Sequence, residues 1–203
     1  ISEIEFATQY TDANLVGITG SNGKTTTTLL TYHLLNNAGL DVGIAGNIGE
    51  SFAQKVAENS FENYVLEISS FQLDGIVDFA PKIAMITNIT PDHLDRYNNN
   101  FHNYVASKFR ITMNQKESDY LLYDADDLAI NEGFEKHQSK AKKVPFSLKK
   151  ELDYGAFIKG NELITRVTSE ELIMSITKLT LQGKHNLKNA MAATMASQLL
   201  QVR

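Results

Sequence analysis

The amino-acid sequence predicts an α/β fold: a mostly parallel sheet flanked by helices, with a small antiparallel β addition near residues 155–182. Short apolar runs, typical of buried strands, recur from residue 15 to about residue 123, and helical patterns lie between several of them. Strands that alternate with helices indicate a parallel sheet covered on both faces. After about residue 145 the apolar runs lie close together around turn residues, which indicates antiparallel pairing.

The individual elements follow from apolar spacing and turn residues. The first strand is predicted at 15–19, and the helix after it, 24–38, has leucines at helical spacing and stops before Gly39. Gly160-Asn161 separates two short apolar runs and predicts a two-residue hairpin, while Asn186 is expected to cap an alanine-rich final helix. The other predicted strands are 42–45, 64–68, 83–89, 120–123 and part of 172–181, and the other helices are around 51–58 and 102–113.

Length and composition bound the domain organisation and the partners. The 203 residues favour one domain, at 15–203, with residues 1–14 as a linker or a trimmed boundary. The 24 acidic and 19 basic side chains form no dense basic patch, which argues against nucleic acid as a partner. The lack of cysteine excludes a disulfide framework and a thiolate zinc site and fits a cytoplasmic protein. No apolar run approaches the ~18 residues that span a membrane, so we expect no membrane partner, and we expect a monomer.

The segment Gly20-Ser21-Asn22-Gly23-Lys24-Thr25-Thr26, here called the phosphate loop, follows the first strand and opens the first long helix. Glycines let backbone N–H groups point at one anion, and a helix start adds partial positive charge. In such a loop Lys24 reaches the β- and γ-phosphates of ATP and the Thr25 hydroxyl holds Mg²⁺, as in P-loop NTPase-like folds. The full pattern also asks for a glycine six residues before the lysine, where this chain has Ile18. The alternative is an ordinary strand–helix turn that contains a lysine.

Glu67 is the one carboxylate in the apolar run 64–68. A buried carboxylate without a partner is costly, so Glu67 needs a partner such as a cation, and Mg²⁺ near Thr25 would provide one. The alternative is that its side chain faces solvent or pairs with a lysine.

Asp92, His93 and Asp95 form a polar cluster directly after the predicted strand 83–89. Ligands of open α/β sheets bind at the carboxyl ends of the strands. The clustering at such an end favours contact with a metal or a substrate, whereas a lone histidine is more often structural.

Lys108 lies on the mostly apolar face of the predicted helix 102–113. One interpretation is a snorkelling side chain whose ammonium group reaches water. The other is a desolvated amine with a lowered pKa, which can add CO₂ to become a carbamate able to bind Mg²⁺. The residues alone leave both interpretations open.

Five motifs follow one another along nearly the whole chain. They are the phosphate loop, Gly46-Asn47-Ile48-Gly49, Glu67-Ile68-Ser69-Ser70-Phe71-Gln72-Leu73, Asn88-Ile89-Thr90-Pro91-Asp92-His93-Leu94-Asp95-Arg96-Tyr97 and Gly183-Lys184-His185-Asn186-Leu187-Lys188-Asn189-Ala190. In this order they resemble the central, ATP-binding domain of the Mur ligase family. The third motif is most similar to the branch of the family that adds D-glutamate. Folylpolyglutamate synthase shares the phosphate loop and is a more distant resemblance.

The resemblance implies a role for each matching residue. Lys24, His93 and Lys108 would be catalytic, with ATP and two Mg²⁺ ions bound and Lys108 carbamylated. The residues implied in ATP binding are Ser21, Asn22, Gly23, Lys24, Thr25, Thr26, Asn186 and Asn189. Those implied in metal binding are Thr25, Glu67, His93 and Lys108, and those implied in binding the UDP-sugar substrate are Asn47, Ser69, Gln72 and His93.

The resemblance also implies a reaction, the ATP-dependent addition of D-glutamate to UDP-N-acetylmuramoyl-L-alanine in bacterial peptidoglycan precursor synthesis, through an acyl phosphate. The family's N-terminal UDP-binding and C-terminal amino-acid-binding domains are not recognisable in this chain, so we expect it to be inactive alone. The alternatives that stay open are another Mur ligase, a folylpolyglutamate synthase-like ligase, a P-loop kinase or regulatory ATPase, and a nucleotide-binding module without turnover.

Overall fold

Nine strands form one mixed sheet in the computed structural model, which describes residues 1–201. They are β1 (Asn14–Thr19), β2 (Val42–Gly46), β3 (Asn63–Glu67), β4 (Ile83–Ile86), β5 (Tyr120–Asp124), β6 (Lys142–Ser147), β7 (Gly155–Lys159), β8 (Glu162–Arg166) and β9 (Leu172–Ser175). Their order across the sheet is β2-β3-β1-β4-β5-β6-β7-β8-β9. Neighbours from β2 to β7 pair in parallel, whereas β8 pairs antiparallel with both β7 and β9. The predicted fold class is confirmed, including the antiparallel addition.

Helices cover both faces of the sheet. They are α1 (Glu3–Thr8), α2 (Lys24–Asn37), α3 (Phe52–Glu58), α4 (Ser70–Asp74), α5 (Phe101–Phe109), α6 (Leu128–Lys136) and α7 (Lys184–Leu199). Successive residues of β1 alternate between the two cores, because side chains of a strand point to opposite faces. Leu15 belongs to the core that includes buried residues of α1, α3, α4, α5 and α6, whereas Val16 belongs to the core that includes those of α2 and α7.

Helix α7 packs closely along α2 because its buried face consists mainly of small residues. Ala192, Ala193 and Ala196 have no exposed surface, and Met191 and Met195 are buried in the same core as residues of the sheet. The result is that the start of α7 stands beside the start of α2, where the phosphate loop lies.

Residues 1–14, which we expect to be a linker or boundary, contain α1, and its Ile4 and Ala7 are buried in the core. The buried Glu5 carboxylate accepts hydrogen bonds from the backbone N–H groups of residues 77–79 at 2.9 to 3.0 Å. Burial alone would raise the pKa of Glu5, but these three donors outweigh it and hold the pKa below its ordinary value. A helix of 6 residues is too short to show helical periodicity in the sequence.

The predicted N-cap of the final helix is wrong. The final helix begins at Lys184 with Gly183 as its N-cap, so Asn186 lies inside the first turn and donates from Nδ2 to Gln182 O at 2.9 Å. Gly183 takes this position with φ of 100°, a conformation that glycine adopts at little cost. None of the helices in residues 1–201 combines the length and the apolar character that crossing a membrane needs.

Candidate functional site

The turn between β1 and α2 lies at the carboxyl end of the parallel strands and depends on two glycines. Gly20 and Gly23 have φ of 151° and 82°. A Cβ on Gly20 would lie 1.9 Å from Thr87 Oγ1, and one on Gly23 would lie 2.6 Å from Asn189 Oδ1. Side chains are therefore excluded at both positions. Ile18, at the place of the missing glycine, is a fully buried residue of β1, so the turn begins later here.

The segment that follows β4 holds the phosphate loop in shape. Ser21 and Asn22 donate their backbone N–H groups to Asn88 O and Asn88 Oδ1, both at 2.9 Å. The Asn88 amide donates back to Asn22 O at 2.8 Å. The Ser21 hydroxyl lies 2.8 Å from Thr90 O and 3.1 Å from the Tyr104 hydroxyl. The backbone N–H groups of Ser21 and Asn22, the Asn22 carbonyl and the Ser21 hydroxyl are thus hydrogen-bonded within the protein.

The start of α2 leaves backbone N–H groups free for an anion. The first N–H groups of an α-helix lack an acceptor one turn earlier, and here they belong to Lys24, Thr25 and Thr26. They stand at the positive end of the helix dipole, an arrangement that binds phosphate groups.

Two lysines from different elements converge on this loop. Lys24 Nζ donates to Gly20 O at 3.0 Å and to Ser21 O at 3.1 Å. Lys108 Nζ, on α5, donates to the same Gly20 O at 2.8 Å. Both amines therefore stand within one hydrogen bond of a single carbonyl, and an anion bound at the loop would offset the repulsion between them.

The Lys108 side chain is buried along its whole length, with 1% of the residue exposed. The pKa of Lys108 is lowered to about 7, mainly by burial and in addition by repulsion from Lys24, while Asp92 acts in the opposite direction. Its Nζ also faces the Tyr104 ring, with the centroid 4.6 Å away. The snorkelling interpretation is therefore wrong, and Lys108 is a desolvated amine.

Replacing Lys108 by methionine should make folding stability less dependent on pH. The pKa of Lys108 falls from 10.5 to about 7 on folding. Below pH 7 Lys108 is protonated in both the folded and the unfolded chain, and the full cost of burying its charge is present. Between pH 7 and 10.5 the unfolded chain binds more protons than the folded chain, so the free energy of unfolding rises with pH. Urea denaturation at about pH 6, 8 and 10 should show K108M more stable than wild type by a few kcal/mol at the lowest pH, with the gap closing as pH rises. A gap independent of pH would contradict the lowered pKa.

Glu67, at the end of β3, is 2% exposed, so its carboxylate does not face solvent. Its Oε2 accepts a hydrogen bond from the Thr25 hydroxyl at 2.7 Å, and its Oε1 accepts one from the Asn47 amide at 2.8 Å. In residues 1–201 it forms no ion pair with a lysine. Both alternatives to a cation partner for Glu67 are therefore wrong.

The donor set around Glu67 fits a magnesium ion. A hydroxyl from Thr25 and a carboxylate from Glu67 are hard oxygen ligands at a helix start that binds phosphate, and Mg²⁺ is typically held by one or two such ligands plus phosphates. Residues 1–201 contain no group of three His, Cys, Asp or Glu side chains placed to hold a metal ion by themselves. The remaining ligands would have to come from phosphate oxygens and water.

His93 lies at the rim of this edge of the sheet. It adopts a left-handed conformation, with φ of 49°, just before the 3-10 turn Leu94–Tyr97. Its side chain is 58% exposed, its Nε2 is 3.5 Å from Asp92 Oδ2, and its ring centroid is 5.4 Å from that of Phe71. Within the described residues, His93 makes no hydrogen bond to Glu67 or Lys108.

Ser69 and Gln72 bond to each other at the start of α4. The Ser69 hydroxyl accepts from the Gln72 N–H at 3.2 Å, and Gln72 Oε1 accepts from the Ser69 N–H at 2.9 Å, which is a capping box. Because α4 follows β3, both side chains lie near Glu67 along the chain and at the same edge of the sheet.

Asn189 of α7 contacts the first turn of α2. The Thr27 hydroxyl donates to Asn189 Oδ1 at 3.2 Å, and Asn189 Nδ2 donates to Asn186 Oδ1 at 3.4 Å. Asn189 is 6% exposed, whereas Asn186 is partly exposed at the helix start. Asn189 thus lies beside Gly23 of the phosphate loop, and Asn186 is hydrogen-bonded to Asn189.

Sequence reasoning missed a second polar cluster, at the end of β5. Lys188 Nζ lies 2.5 Å from Asp124 Oδ2 and 3.5 Å from Asp126 Oδ2. Burial raises the pKa of Asp124, although the Lys188 hydrogen bond opposes that shift. Asp127 Oδ2 accepts from Ile89 N at 2.9 Å and so supports the segment after β4. Three aspartates after an apolar run are the same signal that singled out Asp92.

Comparison with known proteins gives a consistent match. The sequence profile of a family described as the Mur ligase middle domain matches residues 18–197. The chain is 53% identical over 203 residues to a UDP-N-acetylmuramoylalanine--D-glutamate ligase from Christiangramia forsetii, covering 100% of the chain and 46% of that protein. It is 48% identical over 201 residues to the ligase of the same name from Bacteroides fragilis, covering 98% and 45%. The chain spans about half the length of the curated relatives that it matches.

Solved structures share the fold at much lower identity. A UDP-N-acetylmuramoyl-L-alanyl-D-glutamate--2,6-diaminopimelate ligase superposes with a TM-score of 0.73 at 19% identity, over 94% of this chain and 44% of its own. MurF from Acinetobacter baumannii gives 0.73 at 20% identity, over 98% and 46%. These similarities support the fold described above.

Proposed function

This chain belongs to the Mur ligase family, whose middle domain it matches, and we propose that it is the ATP-binding part of an enzyme that joins D-glutamate to UDP-N-acetylmuramoyl-L-alanine. The choice of D-glutamate is supported by the names of the relatives at 46% to 53% identity. The reaction would belong to bacterial peptidoglycan precursor synthesis, in the cytoplasm, and the enzyme would act as a monomer.

The observation that carries the proposal is the convergence of charges at the phosphate loop. Lys24 and Lys108 share the Gly20 carbonyl, and the Thr25 hydroxyl meets the buried Glu67 carboxylate. A loop that gathers two amines, a metal-type donor pair and the free N–H groups of α2 suits a triphosphate with its metal ion.

The proposed reaction has two steps. The carboxylate of the L-alanine end attacks the γ-phosphorus of ATP, which forms an acyl phosphate and releases ADP. The amine of D-glutamate then attacks the acyl carbon, loses a proton, and inorganic phosphate leaves. The first step needs no general base because the nucleophile is already ionised, so His93 would position groups rather than accept a proton.

Charge neutralisation is the physical requirement of the first step. Two like unit charges 4 Å apart repel by about 4 kcal/mol at an effective dielectric constant of 20. Lys24 and the N–H groups at the start of α2 would offset that repulsion at the phosphates and stabilise the negative charge on the transferred group.

The residues that would hold magnesium are Thr25 and Glu67 at one site, with His93 and Lys108 at a second. When bound, Mg²⁺ supplies charge neutralisation and orients phosphate oxygens. For the second site we propose that the neutral Lys108 amine adds CO₂ and loses a proton, becoming an anionic carbamate. The pKa near 7 favours this, because part of the amine is neutral at neutral pH.

The substrates would approach along the edge of the sheet. Asn47, Ser69, Gln72 and His93 would line the path of the UDP-sugar's acceptor end, and Asn186 and Asn189 would stand by the nucleotide. We propose that N-terminal UDP-binding and C-terminal amino-acid-binding domains complete the enzyme, with 15–203 as its central domain. Amino-acid specificity would then reside mainly outside this chain.

The test compares the full-length enzyme with the isolated chain. Phosphate release is measured with ATP, UDP-N-acetylmuramoyl-L-alanine and either D-glutamate, another amino acid or none. We expect D-glutamate-dependent release by the full-length enzyme and little or none by the chain alone. Release that ignores the amino acid would favour a plain ATPase, and dependence on a different amino acid would indicate another Mur ligase.

A further inference from the structure

We propose that Asp74, Tyr97 and Ser107 form a positioning network that sets where Lys108 stands in the site; the proposal deepens the proposed function and rests on it. Nothing in the sequence motifs assigns a role to these three side chains as a group. They come from three separate segments, and each segment also carries a residue of the candidate site.

The contacts of the network are short and converge on one hydroxyl. Ser107 Oγ lies 2.6 Å from Asp74 Oδ1, 3.0 Å from Ser70 O and 3.2 Å from the Tyr97 hydroxyl. Tyr97 donates to Asp74 Oδ2 at 3.0 Å. Ser107 has a single proton, which either Asp74 or Ser70 can accept.

The network joins the segments on which the site is built. Ser107 directly precedes Lys108 on α5, and Tyr97 closes the turn that follows His93. Asp74 ends α4, the helix whose first turn carries Ser69 and Gln72. Removal of a hydroxyl from this junction should therefore loosen the packing of α5 against α4 and displace the Lys108 amine from the Gly20 carbonyl.

Burial makes the junction specific. Tyr97 is 7% exposed and Ser107 is 3% exposed, so neither hydroxyl can turn to bulk water if its partner is lost. Asp74 lies at the exposed rim, where its charge stays hydrated. The Tyr97 ring also packs near Phe71 and Tyr104, with centroids 6.4 Å and 5.4 Å away, and phenylalanine would keep those contacts.

In the part of the chain that the structure describes, the network does not contact the residues proposed to hold the phosphates and the first magnesium ion. In residues 1–201, Lys24, Thr25 and Glu67 make no hydrogen bond to any of its three members. Loss of the network should therefore slow the chemical step, through Lys108, and leave the affinity for ATP nearly unchanged.

The experiment uses Y97F and S107A in the full-length enzyme, with Y64F as the matched control. Tyr64 is fully buried and donates to Asn59 O at 2.9 Å, and in residues 1–201 its hydroxyl makes no hydrogen bond to the three segments, so Y64F also removes one buried hydroxyl. We expect kcat to fall about tenfold in Y97F and S107A, with KM for ATP within about twofold of wild type. Y64F should lose comparable thermal stability and keep its kcat.

A second measurement follows Lys108 without relying on turnover. Brief labelling of the protein with acetic anhydride, read by peptide mass spectrometry, reports the accessibility of the Lys108 amine. We expect labelling of Lys108 to rise about tenfold in Y97F and S107A, and by less than about twofold in Y64F. In the double variant the effects should fall well short of multiplying, because the two hydroxyls act as one unit.

Equal labelling of Lys108 in Y97F, S107A and Y64F would overturn the network. If the wild-type enzyme makes product, a kcat of Y97F and S107A equal to that of wild type would overturn it as well. If the wild-type enzyme showed no D-glutamate-dependent turnover, the proposed function would be wrong instead. The labelling rates of Lys108 would then be the test of the network.

Discussion

Replacing Lys24 by alanine is expected to abolish measurable ATP binding. The variant loses the ammonium group that stands over Gly20 O and Ser21 O at the start of α2, where the phosphates would lie. Charge-assisted contacts to phosphate are about twice as strong as neutral hydrogen bonds, and Lys24 would contact two phosphates. The expected weakening in Kd is at least about a hundredfold, measured by isothermal titration calorimetry with Mg-ATP.

The control for this prediction is K116A. Lys116 is exposed and precedes β5, so it lies at the opposite edge of the sheet, and its replacement removes the same charge from the whole protein. K116A should bind ATP like wild type, and both variants should fold, since Lys24 is not buried. Unchanged affinity in K24A would mean that this loop is an ordinary strand–helix turn.

The first five strands of the parallel sheet were accessible to sequence reasoning because their signals are local. Apolar runs mark β1 to β5, and glycines mark two turns that the structure has, at Gly39 with φ of 83° and at Gly160 with φ of 59°. The misplaced cap at Asn186 shows the limit of such signals. Asn is a favoured cap, but Gly183 with its positive φ starts the helix three residues earlier.

What the sequence does not reveal are polar contacts between distant segments. Asn88 shapes the phosphate loop through bonds to Asn22, 66 residues away, and Lys108 meets Gly20 across 88 residues. The helical position of Lys108 indicates that it lies on an apolar face, but it does not show whether the amine at the end of the side chain reaches water. That outcome depends on Tyr104 and the loop carbonyl, which only the folded sheet brings together.

Two buried glutamates of this chain differ in the groups that donate hydrogen bonds to their carboxylates, and this contrast gives the sharpest test of the proposed metal site. Glu5 is 1% exposed and accepts three backbone N–H groups. Glu67 is 2% exposed and accepts from only two neutral side chains. The Glu5 charge is therefore satisfied by the protein, whereas the Glu67 carboxylate accepts from no backbone N–H group in residues 1–201, which fits the proposed magnesium site.

Replacing Glu67 by glutamine should lower turnover of the full-length enzyme by at least about a hundredfold and raise the Mg²⁺ concentration needed for half-maximal rate. Glutamine keeps the shape of the side chain and can still bond to Thr25 and Asn47, so the variant should fold at least as stably as wild type. E5Q should do the reverse: it loses charge-assisted bonds worth about 1.5 to 3 kcal/mol of folding stability, while its Mg²⁺ dependence stays at the wild-type value. Turnover is measured across a Mg²⁺ titration, and stability by urea denaturation. If E67Q kept wild-type turnover and Mg²⁺ dependence, the Glu67 carboxylate would be a structural partner of Thr25 and Asn47, and the phosphate loop would have to hold its metal without β3.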